Sequence, residues 1–263
     1  MTQASDEPLL LREQRDGIVR LTLNRPRARN ALSLATMEAL LDALEGIRGD
    51  PGVRVVVLAG AGPAFCAGHD LKELRSRPER PFYEKTFATC ARLMQTILAL
   101  PQPVIARVHG VATAAGCQLV ATCDLAVAGE TARFATPGVN IGLFCSTPMV
   151  ALARNLGRKA AMEMLLLGEL VDAPTAKALG LVNRVVPDER LDAEVEAMAR
   201  TIASKSPLTL KIGKEAFYRQ LELPVAEAYA YTARVMTENM LARDAAEGID
   251  AFLEKRTPVW CGA

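Results

Sequence analysis

The chain has 263 residues, half of them hydrophobic and 23% charged, with 31 basic against 30 acidic side chains and a formal net charge of +1. That length suits one sizeable domain, or one domain with an appendage, and its core needs no disulfide or metal staple. A balance this even exerts no whole-molecule pull on nucleic acid or a membrane surface, so any basic site for an anionic ligand must be local.

LLREQRDGIVRLTLN at the N-terminal end predicts a hairpin, with Asp16-Gly17 as a two-residue turn and Val19, Leu21 and Leu23 on one face. Ser33 is a good N-cap for an amphipathic helix carrying Met37, Leu40, Leu41, Leu44 and Ile47 at helical spacing. VRVVVLAG (53–60) is a continuous apolar strand, as in a sheet buried on both faces. A helix follows over roughly 84–99, then a buried strand in PVIARVHG (103–110) and a helix near 115–122. CDLAVAG and LVNRVVP supply further short strands. This alternation predicts an α/β fold. After Pro187 the pattern turns helical over 188–204, 207–221, 224–242 and 243–255, with Pro207 and Pro224 as start signals. The natural division is a core over 1–200 and a helical region over 201–263.

Several chemistries are disfavoured by the residues themselves. The Gly-Ala-Gly at 60–62 follows a strand, but Phe65 stands where a dinucleotide fingerprint needs its third glycine. Cys66 and His69 have ligand-like spacing, but the chain has only one other histidine and no second ligand pair, so no metal is expected. No nucleophile elbow of the GxSxG type is present. The opening MTQASDEPLL reads as neither a secretory signal nor a typical transit peptide, and no apolar run reaches the roughly 18 residues of a membrane span. The six cysteines lack framework spacing and read as reduced thiols in a cytoplasmic protein.

Two segments carry a more specific signal. In PAFCAGHDLKE (63–73) a sharp Ala-Gly turn after a buried strand can leave backbone N–H groups aimed into a cleft. In HGVATAAGCQL the small residues from Ala112 to Gly116 let a ligand approach the backbone where a helix begins and its N–H groups lack partners. Two such groups aimed at one point make an oxyanion hole. The plain alternative is that both are packing turns.

NRPRARNALS, AFCAGHDLKE, PVIARVHGVATAAGCQL, CDLAVAGETARFATPGVNIG, RKAAMEMLLLGELVDAPTAKALGLVNRVV and GIDAFLEKR resemble successive blocks of the crotonase, or enoyl-CoA hydratase/isomerase, superfamily over about residues 10–258. The resemblance implies a spiral of ββα units with a C-terminal helical region used in trimerisation, in a homotrimer or homohexamer. It implies a coenzyme A thioester as ligand and no intrinsic cofactor. By position, the N–H groups of His69 and Ala115 would hold the thioester oxygen, with Ala115 replacing the usual glycine. Ala67, His69, Asp70, Leu71 and Lys72 would border the adenine and pantetheine path. Arg25, Ala28 and Leu32 match the early coenzyme A contact segment.

Hydratases of the family carry a glutamate at each of two places that are Gln118 and Gly138 here. An amide cannot accept a proton from water at neutral pH, and glycine has no side chain. The usual proline-glycine loop is rewritten as Leu143-Phe144-Cys145-Ser146-Thr147. His69 is a candidate proton shuttle and Cys145 a candidate nucleophile; their plain readings are a packing side chain and a buried inert thiol. Two functions stay open: an enzyme that stabilises a thioester enolate or oxyanion without efficient hydration, and a non-catalytic acyl-CoA carrier, sensor or partner subunit.

Overall fold

The computed structural model describes residues 7–263; the first six residues of the leader reading lie outside the described residues. Strands β1 (Leu10–Arg15) and β2 (Ile18–Leu23) form the expected hairpin, in register from Leu10↔Leu23 to Arg15↔Ile18. Asp16 and Gly17 both have positive φ, as a two-residue hairpin turn requires. Ser33 caps α1 (Leu34–Arg48), accepting a hydrogen bond from the Thr36 N–H. There follow β3 (Val55–Gly60), α2 (Leu71–Ser76), α3 (Arg80–Ala99), β4 (Val104–Val108), β5 (Val111–Thr113), α4 (Ala115–Thr122), β6 (Leu125–Gly129) and β7 (Arg133–Ala135). The chain continues through α5 (Ser146–Asn155), α6 (Arg158–Leu167), β8 (Val171–Asp172), α7 (Ala173–Leu179) and β9 (Arg184–Val186). It ends in α8 (Leu191–Ala203), α9 (Pro207–Gln220), α10 (Val225–Met240) and α11 (Arg243–Glu254).

Six strands form one sheet in the order β1-β2-β3-β4-β6-β9, parallel except for the opening hairpin. The other three form a small sheet in the order β5-β7-β8. Each of β4 and β6 is followed by a strand of the small sheet, so the chain alternates between the two layers. Both faces of the large sheet are covered, which is why β3 reads as an unbroken apolar run. Val56 and Leu58 pack in the core that contains the α1 leucines, while Val55 and Val57 pack with Leu191, Val195 and Met198 of α8.

The helices beyond residue 200 are held to this core at a buried ion pair. Lys214 of α9 reaches the Asp124 carboxylate at 2.6 Å and donates to the carbonyls of Ile97 and Gln102. Asp124 also accepts from the Val104 N–H and the Tyr218 hydroxyl. The three Lys214 ammonium protons and both Asp124 oxygens therefore have partners, the condition under which a buried pair is tolerated. Lys214→Met leaves the Asp124 charge without its cation. It is expected to cost roughly 3–5 kcal/mol of unfolding free energy, measured by denaturant titration; a loss below ~1 kcal/mol would remove the junction from this role.

Candidate active site

Two turns meet where β3 and β5 end. Parallel bridges join Leu32 to His69 and Cys66 to Ala112. In the first, Leu32 donates to the Gly68 carbonyl and accepts from the Asp70 N–H. These flanking bonds leave the His69 N–H directed away from Leu32. In the second, Cys66 accepts from the Thr113 N–H, and Ala114 then donates to the Ala135 carbonyl. Ala114 has φ 50° and ψ −118°, a strained conformation for a residue with a Cβ, immediately before α4 begins. Ala115 is thus the first residue of a helix, where no intrahelical acceptor exists. Among the described residues neither the His69 nor the Ala115 N–H has a hydrogen-bond acceptor.

Glycines bring these two N–H groups together. A Cβ on Gly68 would lie 2.9 Å from the Ala114 Cβ and 3.4 Å from the Ala115 nitrogen. One on Gly116 would run into the Cys66 carbonyl. Asn30 braces the same turns from behind, with its amide donating to the carbonyls of Ala61 and Ala64 and accepting from the Arg25 N–H.

A cavity of about 650 Å³ opens over this point. Ala67, His69, Ala115 and Gly138 line it, with Cys145 on the rewritten loop. Its apolar wall includes Leu71, Leu74, Phe87, Ile141 and Phe144. Among the described residues, no aspartate, glutamate, lysine or arginine lines it. A depression among the C-terminal helices, beside Met236 and Phe252, lies away from these turns and holds none of these groups.

The sequence-predicted residues divide. His69, Ala115, Gly138, Cys145, Ala67 and Leu71 are brought to the cavity. Gln118 is not: it is buried in the core, and its Oε1 lies 3.8 Å from the Cys90 thiol. Arg25, Ala28, Leu32, Asp70 and Lys72 do not line the cavity either. Arg25 pairs with Asp70 at 2.8 Å and donates to the Ala31 carbonyl. Asp70 caps α2 through the N–H groups of Lys72 and Glu73, and Leu32 is buried. Lys72 is exposed. Phe87, Leu74 and Ile141 escaped sequence reasoning because an apolar residue carries the same local pattern in a cavity wall as in a core.

Gly138 is more than a missing carboxylate. A Cβ there would lie 2.6 Å from the Leu143 carbonyl oxygen and 2.9 Å from Cys145 Sγ, so the rewritten loop fills the space of a side chain. Burial pushes the Cys145 thiol above its ordinary range, partly offset by a hydrogen bond from the Gly138 backbone, so it is poorly suited to nucleophilic attack. Burial also drives the His69 imidazole down to about 4. The ring is neutral at pH 7 and too weak a base to serve well as a proton shuttle.

The enoyl-CoA hydratase/isomerase family model matches residues 13–263. The chain belongs to that family of enzymes. It is 47% identical over 253 residues to the Xenopus laevis enoyl-CoA hydratase domain-containing protein 3, mitochondrial, covering 96% of this chain and 86% of that protein. The human protein of the same name is 48% identical over 247 residues, covering 94% and 82%. Among solved structures, an enoyl-CoA hydratase from Mycobacterium smegmatis is 58% identical with a TM-score of 0.95, covering 97% of this chain and 99% of that one. The crystal structure of human enoyl coenzyme A hydratase domain-containing protein 3 has a TM-score of 0.94 at 47% identity, covering 96% and 100%. These structures confirm the crotonase-type fold.

The cytoplasmic expectation is corrected by the same relatives, which carry "mitochondrial" in their names. Reduced thiols and an acidic opening segment do not specify a compartment, which is why the residues misled.

The packing at Gly138 yields a direct test. Gly138→Glu combined with Gln118→Glu is expected to leave crotonyl-CoA hydration unrestored. It should also cost about 1–3 kcal/mol of stability through overpacking against the 143–145 segment. Recovery of hydration by these two changes, without altering that loop, would show that the position is open. Thermal unfolding and a hydration assay read both effects.

Proposed function

We propose that this chain binds acyl-CoA thioesters with the thioester oxygen between the N–H groups of His69 and Ala115, and stabilises the enolate or oxyanion that forms there. The observation that carries the reading is the pair of acceptor-free N–H groups at the floor of an apolar cavity. Preorganised donors in a site that excludes water are strongest where charge develops in the transition state. The reaction is not efficient enoyl-CoA hydration. Adding water across a conjugated double bond needs a base for the water and an acid for the carbon. The cavity lining supplies no carboxylate, Gln118 faces the core, and His69 is too weakly basic at neutral pH. Reactions in which the thioester supplies its own electron pair, such as loss of carbon dioxide from a carboxyacyl group, make smaller demands on the wall. The absence of carboxylates also favours the second reading, an acyl-CoA carrier, sensor or partner subunit with no turnover.

The C-terminal helices fit a homotrimer or homohexamer. The 16 residues of α10 bury none of their number within the chain, and Tyr229 on α10 and Phe252 on α11 are 75% and 82% exposed. Unpartnered apolar surface on this scale marks an interface. Sedimentation at micromolar concentration is expected to give a trimer or a multiple of it; a monomer contradicts the assignment.

Wild-type crotonyl-CoA hydration is expected at least about 10³-fold below that of a typical hydratase of the family, because both proton-transfer groups are missing. Ordinary hydratase turnover would show that another group has taken over. Direct binding of a panel of acyl-CoA thioesters, measured beside product formation, separates enzyme from carrier.

A further inference from the structure

The two N–H groups over the cavity are held by different neighbours. Segment 25–32 holds the His69 turn: the Ala67 N–H donates to the Arg29 carbonyl at 3.0 Å, the Leu32 N–H to the Gly68 carbonyl at 2.8 Å, and the Asp70 N–H to the Leu32 carbonyl at 3.0 Å. The Ala115 turn is held through Cys66, which pairs with Ala112 on β5. Between Cys66 and His69 the chain passes through Gly68, whose φ of 97° lies where glycine turns most freely. The covalent link between the two arms is thus a short hinge, and something else must fix their spacing.

Asn30 does so. It is fully buried and does not line the cavity, so it lies out of reach of a ligand there. Its Nδ2 donates to the Ala61 carbonyl at 2.8 Å and to the Ala64 carbonyl at 2.7 Å, and its Oδ1 accepts from the Arg25 N–H at 2.9 Å. Among the described residues, the two Nδ2 bonds are the only hydrogen bonds from segment 25–32 to the 61–64 turn. They grip the chain before Cys66, and the backbone bonds of Arg29 and Leu32 grip it after. Rotation about Gly68 would break one set or the other. The place suits an amide: Asn30 has φ 55°, a left-handed conformation that asparagine tolerates better than most residues. A Cβ on Gly60 would come 2.8 Å from its Nδ2, so the fit is close.

We infer that Asn30 is a positioning residue: from behind the site it sets the spacing of the His69 and Ala115 N–H groups, and so how strongly they polarise a thioester carbonyl. This rests on the proposed acyl-CoA reading of the same cavity. Preorganised donors act through their geometry, and a misplacement of about 1 Å can cost roughly 10²-fold in rate.

The test compares two ligands on the full chain: butyryl-CoA and its thioether analogue S-butyl-CoA, which lacks the carbonyl oxygen. Calorimetry gives their affinities. Infrared difference spectra of butyryl-CoA labelled with carbon-13 at the carbonyl report the hydrogen bonds to that oxygen. The wild type is expected to favour the thioester by about tenfold, the scale of one net hydrogen bond, and to draw the carbonyl band below its position in water. Asn30→Gly permits the left-handed backbone and removes the amide. Asn30→Asp keeps the shape and removes both donors. In each variant the preference should fall to near one and the band should return most of the way to its position in water, while S-butyl-CoA binding changes little. A role in stability alone would weaken both ligands together and leave the band of the bound thioester in place, which overturns the inference. So does a preference that survives in either folded variant; both results leave acyl-CoA binding intact. A wild type with neither preference nor band displacement overturns the reading of the two N–H groups, and this inference with it. If neither variant folds, Asn30 belongs to the fold rather than to the site, and the inference is overturned.

Discussion

Gly68 and Gly116 stand where two turns approach so closely that a methyl group on either would strike the opposite chain. Much of the site follows from that contact. It holds the end of the Leu32–His69 bridge against the start of α4, and so places two backbone donors that the fold does not otherwise use. The parallel sheet lies behind it, with β3 and β4 packed between two hydrophobic clusters. The strain at Ala114 is local and is held by the surrounding hydrogen bonds, including its own to Ala135.

The side chains around this backbone device point away from general acid–base chemistry. In place of an acid beside Gly138 the chain has a loop carbonyl and a thiol, each near the position of a Cβ. The cysteines do not fill the gap. Burial raises Cys66, Cys90 and Cys117 to about 12, so none offers a thiolate at neutral pH. On the proposed reading the cavity is a preorganised electrostatic site with an apolar wall. Its chemistry depends on what the ligand brings.

Much of the fold was legible in the residues because the signals were local. Asp16-Gly17 marks a hairpin turn, Ser33 caps a helix, and the unbroken VVVLA run marks a doubly buried strand, all as the structure has them. The helices α2, α5, α6 and α7 were not assigned, and neither was the small sheet. Strands of two or three residues such as β5, β7 and β8 are too short for any alternation to register. At the proposed site, turn chemistry and the family blocks single out the two segments whose His69 and Ala115 N–H groups lack acceptors among the described residues. The aim of Gln118 was not legible, because its burial against Cys90 depends on how α3 packs on α4. The tight space at Gly138 was equally hidden, since it is made by a segment five to seven residues further along that folds back.

The central claim is that two backbone N–H groups, one from His69 and one from Ala115, hold a thioester oxygen. A crystal structure with a non-reacting acyl-CoA thioester tests it most directly. The account predicts the thioester oxygen at roughly 2.7–3.1 Å from both nitrogens, with the acyl chain running along Phe87 and Phe144. A bound thioester whose oxygen lies elsewhere in the cavity, or contacts neither nitrogen, would contradict it.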